Sequence, residues 1–181
     1  MIIIGERINA TRKAIARALT QRDTGLILNE ARVQIAAGAH YLDLNAGLGR
    51  GTEREDLAYL VETVQELEPD GLCLDSSDPA VLEHCLPMVR APRVMINSIS
   101  GEEKRIAGLL PLLRRHPDAA VVALAMDDTG IPAGVERRIE IAGRLIALLT
   151  ENGIRAENIF VDCLVQPVSV DQENGMVFLR A

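Results

Sequence analysis

Short apolar runs recur along this chain, and each leads into a carboxylate or a carboxamide. Leu72-Cys73-Leu74 runs into Asp75-Ser76-Ser77, Val94-Met95-Ile96 into Asn97-Ser98, and Ile159-Phe160-Val161 into Asp162. Ile2-Ile3-Ile4 leads to Glu6 and Asn9, Tyr41-Leu42-Asp43-Leu44 to Asn45, and the run from Val121 to Ala125 to Met126, Asp127 and Asp128. A few apolar residues between turn signals read as a buried strand of a parallel sheet. The polar residue that follows sits at the carboxyl edge, where α/β folds place their ligand sites. Six strands are therefore expected to bring polar groups to one rim, the first at Met1 to Ile4, the fourth at Arg93 to Ile96, the fifth at Ala119 to Ala125 and the sixth at Ile159 to Val161.

Between these runs the apolar spacing changes to a helical period. Thr11 to Arg22 carries Ile15, Ala18 and Leu19 on one stripe, and Thr24 is read as the cap of a second helix through Ala31, Ile35 and Ala36 that stops at Gly38. Thr52 and Glu55 have the spacing of a capping box ahead of Leu57, Leu60, Val61, Val64 and Leu67. Asp78-Pro79 is a cap followed by a first-turn proline. Gly101 to Arg115 is amphipathic through Ile106, Leu109, Leu110 and Leu113, and a long helix is expected from about Gly134 to Glu151, ending at Asn152-Gly153. Gly47, Gly49 and Gly51 match neither common phosphate-loop spacing and read as a flexible rim loop.

Strand and helix thus alternate throughout, the mark of a (βα) repeat with right-handed crossovers. A doubly wound sheet shares the alternation but gathers its site at one switch point, whereas here polar groups follow all six strands. The expected fold is α/β, a TIM-type (βα) barrel in a single domain over residues 1–181. A closed eight-unit barrel takes about 250 residues. The 181 residues hold about six units, so the barrel reads as incomplete at its C-terminal side.

Composition narrows the function. The chain is 48% hydrophobic yet has two Tyr, two Phe and no Trp, so its core is aliphatic and offers no stacking platform for single-stranded nucleic acid. A net charge of −7 speaks against a nucleic-acid backbone as partner. No apolar run is long enough to cross a membrane, and no basic leader precedes Ile2, so a cytoplasmic protein is expected. Cys73, Cys85 and Cys163 lack metal-site spacing, and Cys73 and Cys163 read as buried thiols beside apolar runs. Asp127 and Asp128 are adjacent and cannot readily aim at one ion, so they read as a solvated loop and no bound metal is expected.

Gly5-Glu6-Arg7-Ile8-Asn9, Leu42-Asp43-Leu44-Asn45, Cys73-Leu74-Asp75-Ser76, Met95-Ile96-Asn97-Ser98, Met126 with Thr129-Gly130-Ile131-Pro132, and Val161-Asp162 follow one another in a recognisable order. Together they resemble the methyltetrahydrofolate:corrinoid protein methyltransferases. Their pterin-binding barrel is similar to dihydropteroate synthase and to the folate domain of cobalamin-dependent methionine synthase. The resemblance covers essentially the whole chain and rests on six motifs in register.

The resemblance implies that Asp75, Asn97 and Asp162 grip the pterin, with Glu6, Asn9, Asp43, Asn45 and Met126 as further contacts. The chemistry agrees, because a carboxylate can accept a ring N–H and the neighbouring exocyclic amine together, and a carboxamide can donate and accept at once. Asp75, Asn97 and Asp162 each also have a plain alternative as a strand-end group capping the next helix, and Asp43 and Asn45 one as braces of the rim. The implied reaction moves the N5-methyl group of methyltetrahydrofolate to the cobalt of a partner corrinoid protein, in one-carbon metabolism, with a homodimeric enzyme. The family's N5-contacting Asn follows a seventh strand, which this sequence does not reach, so no catalytic residue is assigned. Two alternatives stand beside this reading. One is a noncatalytic pterin-binding or assembly module. The other is dihydropteroate synthase, which the Gly5–Asn9 and Asp75-Ser76 contexts disfavour.

Overall fold

In the computed structural model, which describes residues 1–49, 51–167, 169 and 173–181, strands and helices alternate along the chain. They run β1 (Ile4–Asn9), α1 (Lys13–Gln21), α2 (Thr24–Ala36), β2 (Tyr41–Asn45), α3 (Glu53–Val64), β3 (Gly71–Asp75), α4 (Pro79–Cys85) and β4 (Arg93–Ser100). There follow α5 (Glu103–Arg115), β5 (Ala120–Leu124), α6 (Val135–Glu151), β6 (Ile159–Asp162) and α7 (Asn174–Arg180). Residues 1–97 form one compact unit and residues 98–181 a second.

Within the first unit β1 pairs with β2, β2 with β3 and β3 with β4, all parallel and in chain order. In the second unit β5 pairs with β6, again parallel. A doubly wound sheet breaks this order at its switch point, whereas a (βα) barrel preserves it. The architecture is therefore α/β of the TIM-barrel type, as the repeat predicts.

The strands owe their position to an alternation. Leu42, Leu44, Leu72 and Leu74 are at most 1% exposed and alternate with Asp43, Asn45, Cys73 and Asp75. One strand face is thus aliphatic and the opposite face holds the polar groups. Each of those leucines contributes about 1.5–3 kcal/mol by leaving water. Ile15, Ala18 and Leu19 of α1, and Leu57, Leu60, Val61 and Val64 of α3, form the expected buried stripes.

Several boundaries differ from expectation, each for a physical reason. β1 begins at Ile4 and continues to Asn9, so Glu6 and Asn9 lie inside the strand, while Met1, Ile2 and Ile3 precede it and are exposed. The register shifts between Gly5 and Ile8, and the N–H of Arg7 is taken by Gln34 Oε1 at 2.8 Å. That side chain lets a strand pass through polar residues. A Cβ on Gly5 would stand 2.6 Å from the same oxygen, so only glycine leaves it room. β4 likewise runs on to Ser100, which makes Asn97 a strand residue.

Asp23, not Thr24, caps α2 by accepting the Leu26 N–H at 3.0 Å, and the Thr24 hydroxyl meets the Tyr59 hydroxyl instead. The capping box at Thr52 does not form. Its hydroxyl donates to Asp56 at 2.7 Å, because Asp56 is buried and needs donors, and Glu55 pairs with Arg54. Asp78 caps α4 as expected, accepting the Ala80 N–H at 2.8 Å. Cys73 is buried, but Cys163 is partly exposed because it lies past the end of β6. No helix of the described residues is long and apolar enough to cross a membrane.

Candidate functional site

At the carboxyl ends of β1 to β4 the register sets four polar residues side by side. Asn9 pairs with Asn45, Asn45 with Asp75, and Asp75 with Asn97. Residues paired in parallel strands point to the same face. The first unit therefore carries an unbroken carboxamide–carboxamide–carboxylate–carboxamide row, all four half-buried.

The row is held from within. Asn45 Nδ2 donates to Asp75 Oδ2 at 2.8 Å, and Asn45 Oδ1 accepts the Gly47 N–H at 3.1 Å. Both ends of the Asn45 amide are thus engaged, one on Asp75 and the other on the glycine loop. The Asn9 carbonyl accepts both the N–H and the hydroxyl of Thr11, at 2.9 and 2.7 Å, which leaves its NH₂ as the group it can offer. Ser76, next after the row, is buried and donates to Glu53 and accepts from the Asp78 N–H at 3.1 Å, tying the start of α3 to the start of α4.

One step below the row lies Asp43, 2% exposed and in register with Cys73. It accepts from Asn97 Nδ2 at 3.1 Å. Asp43 and Asn97 lie two strands apart, about 10 Å along the hydrogen-bonding direction. The short Cys73 side chain between them leaves space for that reach. Burial pushes the Asp43 carboxyl up to about 7, the nearby charges of Asp75 and Glu6 push the same way, and hydrogen bonds from Cys73 and Asn97 oppose them. Burial also raises the Cys73 thiol well above its ordinary value, with Asp43 adding to it, so Cys73 is no nucleophile here.

Met126 and Asp162 belong to the second unit. Asp162 pairs with Leu124 at the end of β6, is half-buried, and accepts the Leu164 N–H at 2.7 Å through Oδ1. The Met126 backbone is fixed at both ends, its N–H on Leu124 O at 2.8 Å and its carbonyl on the Gly101 N–H at 2.7 Å. Of the neighbouring aspartates Asp128 is exposed, as a solvated loop requires, but Asp127 is buried. Asp127 is 6% exposed and takes the Thr129 hydroxyl at 2.7 Å and Arg137 at 2.6 Å, and these partners hold its carboxyl below the ordinary range. Asp128 accepts the Glu103 N–H at 3.0 Å at the start of α5. Their two carboxylates thus serve different elements.

In the first unit the structure brings Asn9, Asn45, Asp75 and Asn97 into one row and places Asp43 directly beneath. Glu6 is exposed and bears on Asp43 by charge. Sequence reasoning missed two things. The carboxamide–carboxylate pairing of Asn45 with Asp75 follows from register, which no single strand reveals. Arg138 is wholly buried on α6, and its signal was readable, since positions 138, 141, 145 and 149 make a helical stripe whose other members are Ile, Leu and Leu.

The sequence profile of the family described as "Pterin binding enzyme" matches residues 5–181. The methylcorrinoid:tetrahydrofolate methyltransferase of Eubacterium limosum is 32% identical over 179 residues, covering 98% of this chain and 66% of that protein. The methionine synthase of Mycobacterium leprae (strain TN) is 35% identical over 185 residues, 97% of this chain but 15% of its own length. Among solved structures, the dihydropteroate synthase of Xanthomonas albilineans in complex with 7,8-dihydropteroate superposes with a TM-score of 0.63 at 19% identity. That match covers 89% of this chain and 59% of the synthase, and at this identity it speaks for the fold alone.

Proposed function

This chain belongs to the pterin binding enzymes, and from that premise we propose that it transfers the N5-methyl group between methyltetrahydrofolate and the cobalt of a corrinoid protein. The observation that carries the reading is the row Asn9, Asn45, Asp75, Asn97 with Asp43 beneath it. The methyltransferase of Eubacterium limosum, matched over nearly the whole of this chain, supports the choice of reaction.

In this reading Asp75 accepts the ring N–H and exocyclic amine of the pterin, and Asn45 keeps its carboxylate turned to the rim. Asn97 hydrogen-bonds the pyrimidine edge, with its NH₂ anchored on Asp43 and its carbonyl turned the other way. Asp162 is the second carboxylate of the grip. Asn9 and Met126 bound the ring, and Glu6 acts at a distance through Asp43. In the forward direction the electron pair of cobalt(I) forms the new bond to the methyl carbon as the N5–carbon bond breaks. The pair left on N5 must be met by a proton or a hydrogen bond. The residues of this chain contribute orientation and electrostatics rather than a covalent intermediate.

Hydrogen bonds to charged groups contribute about 1.5–3 kcal/mol each. Asp75→Ala and Asp162→Ala should each weaken methyltetrahydrofolate binding by about 10- to 150-fold. Titration calorimetry on variants with intact circular dichroism measures this, and affinities within about twofold of the unsubstituted chain would take these residues out of the site. Transfer of methyl to a corrinoid protein, followed by its absorption spectrum, separates the enzyme from a module that only binds pterin.

A further inference from the structure

Among the described residues Arg138 is the largest fully buried side chain, at 0% exposure, and it faces no carboxylate partner there. Burying a guanidinium is costly unless its donors are all used. Three of its bonds go to backbone carbonyls. Nε donates to Pro132 O at 2.9 Å, and Nη1 donates to Cys163 O at 2.5 Å and Leu164 O at 2.7 Å. Nη2 is buried and has no hydrogen-bond partner among the described residues.

The two carbonyls held by Nη1 come directly after Asp162, where the β6 ladder ends. Leu164 has a φ of +59°, the left-handed region that a side chain disfavours. Its N–H is nevertheless aimed at Asp162 Oδ1, 2.7 Å away, and this bond sets the orientation of the carboxylate. Something must hold the strained turn in place. The planar fork of Arg138 does so from α6, fastening the turn after β6 to the loop that carries Pro132.

We infer that Arg138 is the positioning residue for Asp162, fixing the carboxylate through the Cys163–Leu164 backbone. This deepens the folate-binding reading and depends on it only for its effect on affinity. Lysine retains the charge, but a single ammonium cannot span carbonyls on two segments as the fork does. Glutamine retains one donor group without the charge.

The test is a double-mutant cycle on methyltetrahydrofolate affinity, joined to hydrogen exchange in the absence of ligand. Arg138→Lys and Arg138→Gln should each lower affinity about tenfold, a loss of about 1.4 kcal/mol. On an Asp162→Asn background the same changes should cost less than about twofold, because the carboxylate they position is already gone. In the unliganded protein, exchange at the Leu164 amide should quicken by about tenfold or more in either variant, while the Leu145 amide of α6 keeps its protection. Additive losses in the cycle, or unchanged Leu164 exchange, would overturn the inference. Should the unsubstituted chain fail to bind methyltetrahydrofolate, the folate reading falls, and the exchange measurement alone still decides the role of Arg138.

Discussion

Asp43 keeps a proton to near neutrality because its strand buries it beside Asp75 and Glu6. The folded state therefore holds a proton that the unfolded chain gives up above its ordinary value of 3.8. A raised carboxyl pKa stabilises the fold at low pH, and that contribution is lost as pH rises from 3.8 to about 7. About three pH units correspond to something on the order of 4 kcal/mol. The lowered carboxyls of Glu30 and Asp127 act in the opposite sense, losing their contribution in acid, so the comparison must isolate Asp43. Urea unfolding at pH 5 and pH 8 should show Asp43→Asn gaining stability relative to the unsubstituted chain as pH rises. Parallel pH profiles for the two proteins would place the titration elsewhere. The sequence showed Asp75 and Asn97 as polar groups at strand ends and Asp43 as a polar residue inside its strand. It could not show that Asp43 supports Asn97, since the two are 54 positions apart and meet only through register and the small Cys73 between them. Arg138 is hidden in the sequence for a different reason. In Val135-Glu-Arg-Arg-Ile-Glu its neighbours are charged, and the segment reads as a solvated face unless the 138–141–145–149 stripe is followed to the end.

At the scale of elements, the hydrophobic period located nearly every strand and helix, because an apolar face must be buried whatever the ends do. The ends are set by side chains reaching in from elsewhere. β1 extends through Glu6 and Arg7 because Gln34 of α2 satisfies the freed N–H, and α2 is capped by Asp23 rather than Thr24 because the carboxylate is the better acceptor there. Neither choice is visible within the segment itself. The junction after β4 shows how tight such contacts are. A Cβ on Gly101 would lie 2.8 Å from the Met126 carbonyl and 3.2 Å from Asp127 Cβ, both on the connection after β5. Gly101→Ala must push that backbone aside, at a cost of about 1–3 kcal/mol. For a chain of this size the melting temperature should fall by about 2 to 12 °C. Calorimetric scanning would measure it, and a shift below about 1 °C would mean that the connection gives way without strain.

For the molecule as a whole, the alternation of strands and helices specified the (βα) architecture, since each apolar run needed a helix to cover one face and a polar rim at its end. The stretch after β5 also presents apolar residues to solvent. Val161 on β6 is 39% exposed although it pairs with Ala123 of β5, and further along Val165, Met176 and Leu179 are 62%, 43% and 74% exposed. α7 in particular was not expected, because its Met176, Val177, Phe178 and Leu179 form an apolar run without a helical stripe. Apolar surface of this kind favours association with a second copy or with another chain segment. The net charge of −7 opposes the approach of two copies, and that repulsion is screened over about 10 Å at 0.1 M salt and about 3 Å at 1 M. Self-association should therefore strengthen as salt is raised, the reverse of an association held by ion pairs. Multi-angle light scattering should give a mass above 19.7 kDa for the unsubstituted chain, rising with salt. Val161→Lys combined with Leu179→Lys should return it toward the monomer, by placing two cations on the surface that must dehydrate. A monomer at every salt concentration, or a double variant that associates as strongly as its parent, would show that these residues do not drive association.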